Sequence, residues 1–181
     1  AAGTFAGNAV GLPYGFKQYR DYYTPRQLTA MVTLSDLVKE IGSNVRRDAI
    51  AARLSDEEAE AYARTVTTFL ALAVDRRADF NNSLCGWSPS NQKVMHLFGR
   101  QAIPRVGDFA EANILGDSVG AWSTCSEHVA DCIEVMTAGF IELGQACQID
   151  AATGASGLGN LLVSTDPPYY DNISYAALSD F

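Results

Sequence analysis

The sequence predicts a mainly α-helical chain followed by a small α/β part, and three observations carry that expectation. Thr24-Pro25-Arg26-Gln27 and Ser55-Asp56-Glu57-Glu58 are capping boxes, each followed by apolar residues at three- and four-residue steps. A further helical period begins near Trp122. By contrast, Asn160-Leu161-Leu162-Val163-Ser164-Thr165 is a short apolar run, with Gly157 and Gly159 before it and two prolines after it. Such a run reads as a buried parallel strand. The organisation that follows is an aromatic and basic arm over 1–23, a helical region over 24–143, and a partial α/β core over 144–181.

In the arm, Tyr14, Phe16, Tyr19, Tyr22 and Tyr23 are interleaved with Lys17 and Arg20, and Arg26 follows. Rings between cations can stack bases and contact phosphates. The competing reading packs the rings onto the core. The first helix has Thr24 as cap, Pro25 at its first position and a stripe of Leu28, Met31, Leu34, Val38 and Ile41, with Gly42 as the expected stop. A basic connector (Arg46, Arg47, Arg53) leads to a second helix with the stripe Tyr62, Val66, Phe69, Leu70, Ala73 and Val74. This helix should end near Asn81-Asn82, with Arg76 and Arg77 solvated in its last turn. Ser88 and Pro89 predict a short third helix carrying Val94, Leu97 and Phe98, stopped by Gly99. His96 then lies on that helix with no evident partner.

The polar, aperiodic stretch 100–113 reads as a packed loop near the active site. A fourth helix is expected from Trp122 to Gly139, and Gln145 to Asp150 reads as a strand ending in an acid. Cys125, His128 and Cys132 share one helix face, a spacing that could ligate zinc with His96 or Cys85. Cysteine is more often simply buried, and no metal is expected here.

The chemistry concentrates at Asp166-Pro167-Pro168-Tyr169. Two prolines fix an extended turn at the strand's carboxyl end, the edge where open α/β sheets place ligands. The Asp166 carboxylate and the Pro167 carbonyl can accept both N–H bonds of a planar exocyclic amine, while Tyr169 stacks on the ring that carries it. Drawing both hydrogens toward acceptors leaves the nitrogen lone pair free to attack a methyl group.

These four residues resemble the catalytic motif of the amino-methylating DNA methyltransferases. The longer string from Val163 to Ile173 is similar to the large prokaryotic adenine-specific methylases that carry the DUF1156 domain. Two further blocks, Tyr23 to Leu28 and Trp87 to Asn113, resemble the same group. The resemblance implies S-adenosylmethionine as cofactor and DNA as partner, with methylation at adenine N6 or cytosine N4. It implies catalytic roles for Asp166, Pro167, Pro168 and Tyr169. Asp150 becomes a candidate contact to the cofactor's adenine, and Arg20, Arg26, Tyr170 and Asn172 become candidate DNA contacts. The target base would have to leave the duplex to reach Tyr169.

Bulk composition bounds these expectations. The 181 residues suffice for one sizeable core, and 48% hydrophobic with 19% charged residues describes an ordinary globular protein. No apolar run approaches a bilayer span, and the first residues lack the pattern of a signal peptide, so a cytoplasmic location is the expectation. A net charge of −8 is the wrong sign for a free-standing nucleic-acid binder. Cofactor loops of this class need a glycine turn after a strand. The sole candidate, Phe5-Ala6-Gly7-Asn8-Ala9, follows none. The chain is therefore expected to be an internal fragment of a larger enzyme, inactive alone. The alternatives are a non-catalytic helical module that binds DNA or a partner, and a methyltransferase acting on RNA or protein.

Overall fold

The computed structural model describes residues 14–99, 103–104, 106–137, 144, 146–150, 153–154, 159, 162–167 and 175. Within them the fold is mainly helical. A 3-10 turn at Tyr19–Tyr22 leads into α1 (Pro25–Ala51) and α2 (Asp56–Phe80). Two short strands follow, β1 (Trp87–Ser88) and β2 (Lys93–Val94), and then α3 (Trp122–Thr137).

Both capping boxes form. The Gln27 N–H donates to Thr24 Oγ1 and the Thr24 N–H to Gln27 Oε1; Ser55 and Glu58 repeat the exchange. Asp56, Glu57 and Glu58 occupy the first turn of α2, where the helix dipole favours negative charge. The Ser55 bonds hold the Glu58 carboxyl below its usual range.

Gly42 does not stop α1, which runs on to Ala51 and carries Arg46 and Arg47 inside it. The reason is tertiary. A four-residue connector turns the chain so that α2 returns antiparallel along α1: Asn81 Nδ2 reaches the Gln27 carbonyl at one end, and Arg46 pairs with Asp56 and Glu60 at the other. Between these, a Cβ at Gly42 would lie 3.1 Å from Thr67 Cγ2, so glycine there allows close approach of the helices. Small Ala59 and Ala63 on α2 are buried, whereas Tyr62, expected inside, is 54% exposed. The later turns of the same α2 stripe bring Val66, Phe69, Leu70 and Ala73 beside Ser126, Val129 and Ile133 of α3. α2 is thus the central helix.

Most of the arm's rings are core, while Tyr14 is 48% exposed. Tyr19 and Tyr22 are buried with Leu84, Leu97 and Ile103, and Phe16, Tyr23 and Phe98 pack against them. Phe16 stacks on Tyr22 at a ring-centroid distance of 4.7 Å. Asp21 ties the arm down by accepting the N–H bonds of Lys17 and Gln18, which lower its carboxyl's pKa.

The predicted third helix is instead a small antiparallel hairpin, Trp87 opposite Val94 and Ser88 opposite Lys93. The loop between its strands turns through Gln92 at a φ of 49°, and the Met95 N–H extends the pairing to the Gly86 carbonyl. Leu97 and Phe98 are held to α2 by Asp79, whose carbonyl and carboxylate accept their N–H groups. That docking replaces any helical ladder. α3 matches its expected start and ends at Thr137.

The strands expected at 145–150 and 160–165 do not appear among their described residues. Residues 146–150 and 162–167 are exposed and irregular, Leu162 almost completely so. Among the described residues no strand lies beside it to give the apolar run a backbone partner.

Candidate functional site

Asp166 and Pro167 lie exposed in the irregular segment 162–167. Pro168, Tyr169, Tyr170 and Asn172 fall outside the described residues, so only half of the four-residue motif has a described position. Asp150 is also exposed. Its carbonyl accepts the N–H groups of Thr153 and Gly154, and its carboxylate accepts the Thr153 hydroxyl, making a local turn. Arg20 is exposed on the 3-10 turn.

Arg26 is part of a built arrangement. Its Nε donates to Glu111 Oε2 at 2.6 Å, and Glu111 Oε1 accepts the Thr24 hydroxyl at 3.1 Å. Two sequence blocks about 85 residues apart, Thr24-Pro25-Arg26-Gln27 and Asp108 to Asn113, are thereby clamped together. The loop is anchored from below as well, because the Ala110 N–H donates to the Cys85 carbonyl at 2.8 Å. The loop is thus anchored at 110–112, while 106–109 are exposed. Arg26 itself is 82% exposed at the side chain, so the ion pair adds little stability while orienting the loop.

Beneath the clamp lies Arg77, expected in solvent and in fact fully buried. Nη2 donates to Asn81 Oδ1 at 3.0 Å and to the Ala112 carbonyl at 3.1 Å. Gly120, at a φ of +86°, lets a second loop close over the guanidinium: a Cβ there would sit 3.4 Å from Nη1. Burial pulls the guanidinium's pKa down from its usual value. The buried thiols Cys85 and Cys125 lie close enough to interact with it electrostatically. Arg26, Gln27, Ala30, Arg77, Asn81 and the 111–114 loop line an open cleft of about 430 Å³. Sequence reasoning missed this site, since an arginine at a helix end reads as solvated. The one signal available was the polar Asn81-Asn82 pair directly after it.

His96 does have a partner: Nδ1 lies 3.4 Å from Asp79 Oδ2, and its ring packs near Phe80. Cys132 Sγ is 3.8 Å from His128 Nε2, while Cys125 is buried beside Arg77. Among the described residues no three His, Cys, Asp or Glu side chains gather as a metal site. No described helix is long and apolar enough to cross a membrane. Comparison with models of known protein families, with curated proteins and with solved structures found no match to this chain.

Proposed function

We propose that this chain carries the target-amine turn of an S-adenosylmethionine-dependent DNA methyltransferase, acting on adenine N6 or on cytosine N4. A Rossmann-like sheet would hold that turn in the working enzyme. The observation that carries the reading is the run Asp166-Pro167-Pro168-Tyr169 within the longer string from Val163 to Ile173. The exposure of Asp166 and Pro167 is compatible with it, since a carboxylate and a carbonyl free of structural duty can accept a substrate's hydrogen bonds.

The described residues do not form a cradle for the cofactor. Residues 146–150 form no strand, and the Asp150 carbonyl and one of its carboxylate oxygens are taken up in its own turn. The work assigned to this chain therefore lies at the amine. Asp166 and the Pro167 carbonyl accept its two N–H bonds, and the Tyr169 ring holds the base plane. These contacts strengthen as the nitrogen becomes nucleophilic, which is where binding accelerates a reaction.

The test is single-turnover methyl transfer to an oligonucleotide with saturating cofactor, using the polypeptide that carries this sequence. Asp166→Ala should abolish transfer and leave folding intact. Tyr169→Phe should retain activity, whereas Tyr169→Ala should weaken base binding by roughly 1–3 kcal/mol, the worth of one base–aromatic stack. Near-normal transfer by Asp166→Ala refutes the role. One observation favours a non-catalytic helical module instead: the packed structure lies in the helices and hairpin, while 162–167 stand apart from it in solvent. Under that reading Asp166→Ala changes nothing.

A further inference from the structure

A buried cation with no counter-charge is costly, and Arg77 is one. Among the described residues no carboxylate lies within ion-pair distance of it; Glu111 is committed to Arg26, and Asp79 faces His96. Its Nε and Nη1 make no hydrogen bond, and neither does Nε2 of Gln27, which is likewise buried. These three N–H-bearing atoms belong to two residues of the same cleft, at the amino-terminal end of α1. All are donors; the start of α1 adds partial positive charge, and the last turn of α2, which carries Arg77, adds partial negative charge. Asn113 adds a polar edge from the loop.

We propose that this cleft is a binding site for an oxyanion, a phosphate or carboxylate group received between Arg77 and Gln27. The inference does not depend on the methyltransferase reading. Arg77 Nε–H and the Gln27 side-chain amide each offer one unused donor to such a group, while Nη1, on the Cδ side of the guanidinium, faces Gly120. Arg77 presents no surface to solvent, so occupancy requires the 111–114 wall to move outward and the entering group to be small. Glu111 forms part of that wall, and its pairing with Thr24 and Arg26 keeps its negative charge occupied at the rim.

The test is a titration at fixed ionic strength with inorganic phosphate, acetate and a short single-stranded oligonucleotide in parallel arms. It is read by the melting temperature and by the Arg77 Nε–H resonance. Saturable movement of that resonance with a rise of a few degrees supports the site. Saturation by free phosphate or acetate assigns a small ligand, and saturation by the oligonucleotide alone assigns a backbone phosphate. Arg77→Met should lose the response, but it removes a buried hydrogen-bonding group and can fail to fold. Ala30→Glu keeps Arg77 and places a carboxylate in the cleft from α1. It should weaken binding at least tenfold while melting no lower than the parent. If no anion moves the Arg77 resonance saturably, or if Ala30→Glu binds as tightly as the parent, the proposal is wrong.

Discussion

Gly120→Ala, set against Gly15→Ala, separates backbone strain from packing in this fold. Both glycines have a φ of +86°, so alanine meets the same left-handed penalty at each, about 1 kcal/mol. The unfolded-state entropy change is also common to both. Their surroundings differ. A Cβ at Gly15 meets nothing within 4 Å, whereas at Gly120 it would lie 2.9 Å from Phe80 Cβ and 3.0 Å from Ala112 Cβ. Those neighbours are not flexible side-chain ends, so relief requires the 112–120 loop to lift off α2. Overpacking of that kind costs roughly 1–3 kcal/mol. Gly120→Ala should therefore be less stable than Gly15→Ala by about 1–3 kcal/mol. Urea unfolding followed by far-UV circular dichroism measures this, as a lower midpoint at unchanged slope. Equal midpoints would mean that the loop does not close over Arg77 as described.

Burial pushes the Cys85 thiol up to about 11 from its ordinary 9.0, and its Sγ donates to the Asp79 carbonyl. The unfolded thiol then loses its proton first, so stability is full below pH 9 and falls as pH rises from 9 to 11. The loss should be roughly 2–3 kcal/mol greater in the parent than in Cys85→Ala, at about 1.4 kcal/mol per pH unit; parallel pH profiles would contradict this. Iodoacetamide should label exposed Cys132 and Cys147 in the native protein but reach Cys85 and Cys125 only after unfolding, as peptide mass analysis would show. Ser55→Ala should cost about 1 kcal/mol as a lost cap, and Thr24→Ala more, because Thr24 also ties Glu111. A double-mutant cycle should then give non-additive changes for Thr24 with Glu111 and additive ones for Ser55 with Glu111.

The elements that could be read from the sequence are those whose cause is local. Thr24 with Gln27, and Ser55 with Glu58, satisfy helix-end N–H groups from three residues away, so both helix starts were legible. The end of α2 beside Asn81 and the start of α3 at Trp122 were equally readable. The chemistry of the Asp166 to Tyr169 run rests on residue types and the stiffness of two prolines, and it stands as a proposal.

Tertiary contacts decided the rest. Gly42 reads as a stop by propensity, yet the return of α2 along α1 turns it into a point of close helix contact. Ser88-Pro89 has the composition of a helix start, but anchoring of Leu97 and Phe98 on Asp79 draws that segment out as a hairpin. Burial is the favoured reading of the arm's rings, and Leu84, Leu97 and Ile103 are what cover Tyr19 and Tyr22. Arg77 is the clearest case. Charge predicts exposure for an isolated helix end, whereas its burial depends on a carbonyl 35 residues onward and a glycine beyond that. No local pattern encodes partners at that separation, because only the folded chain brings them within hydrogen-bond reach.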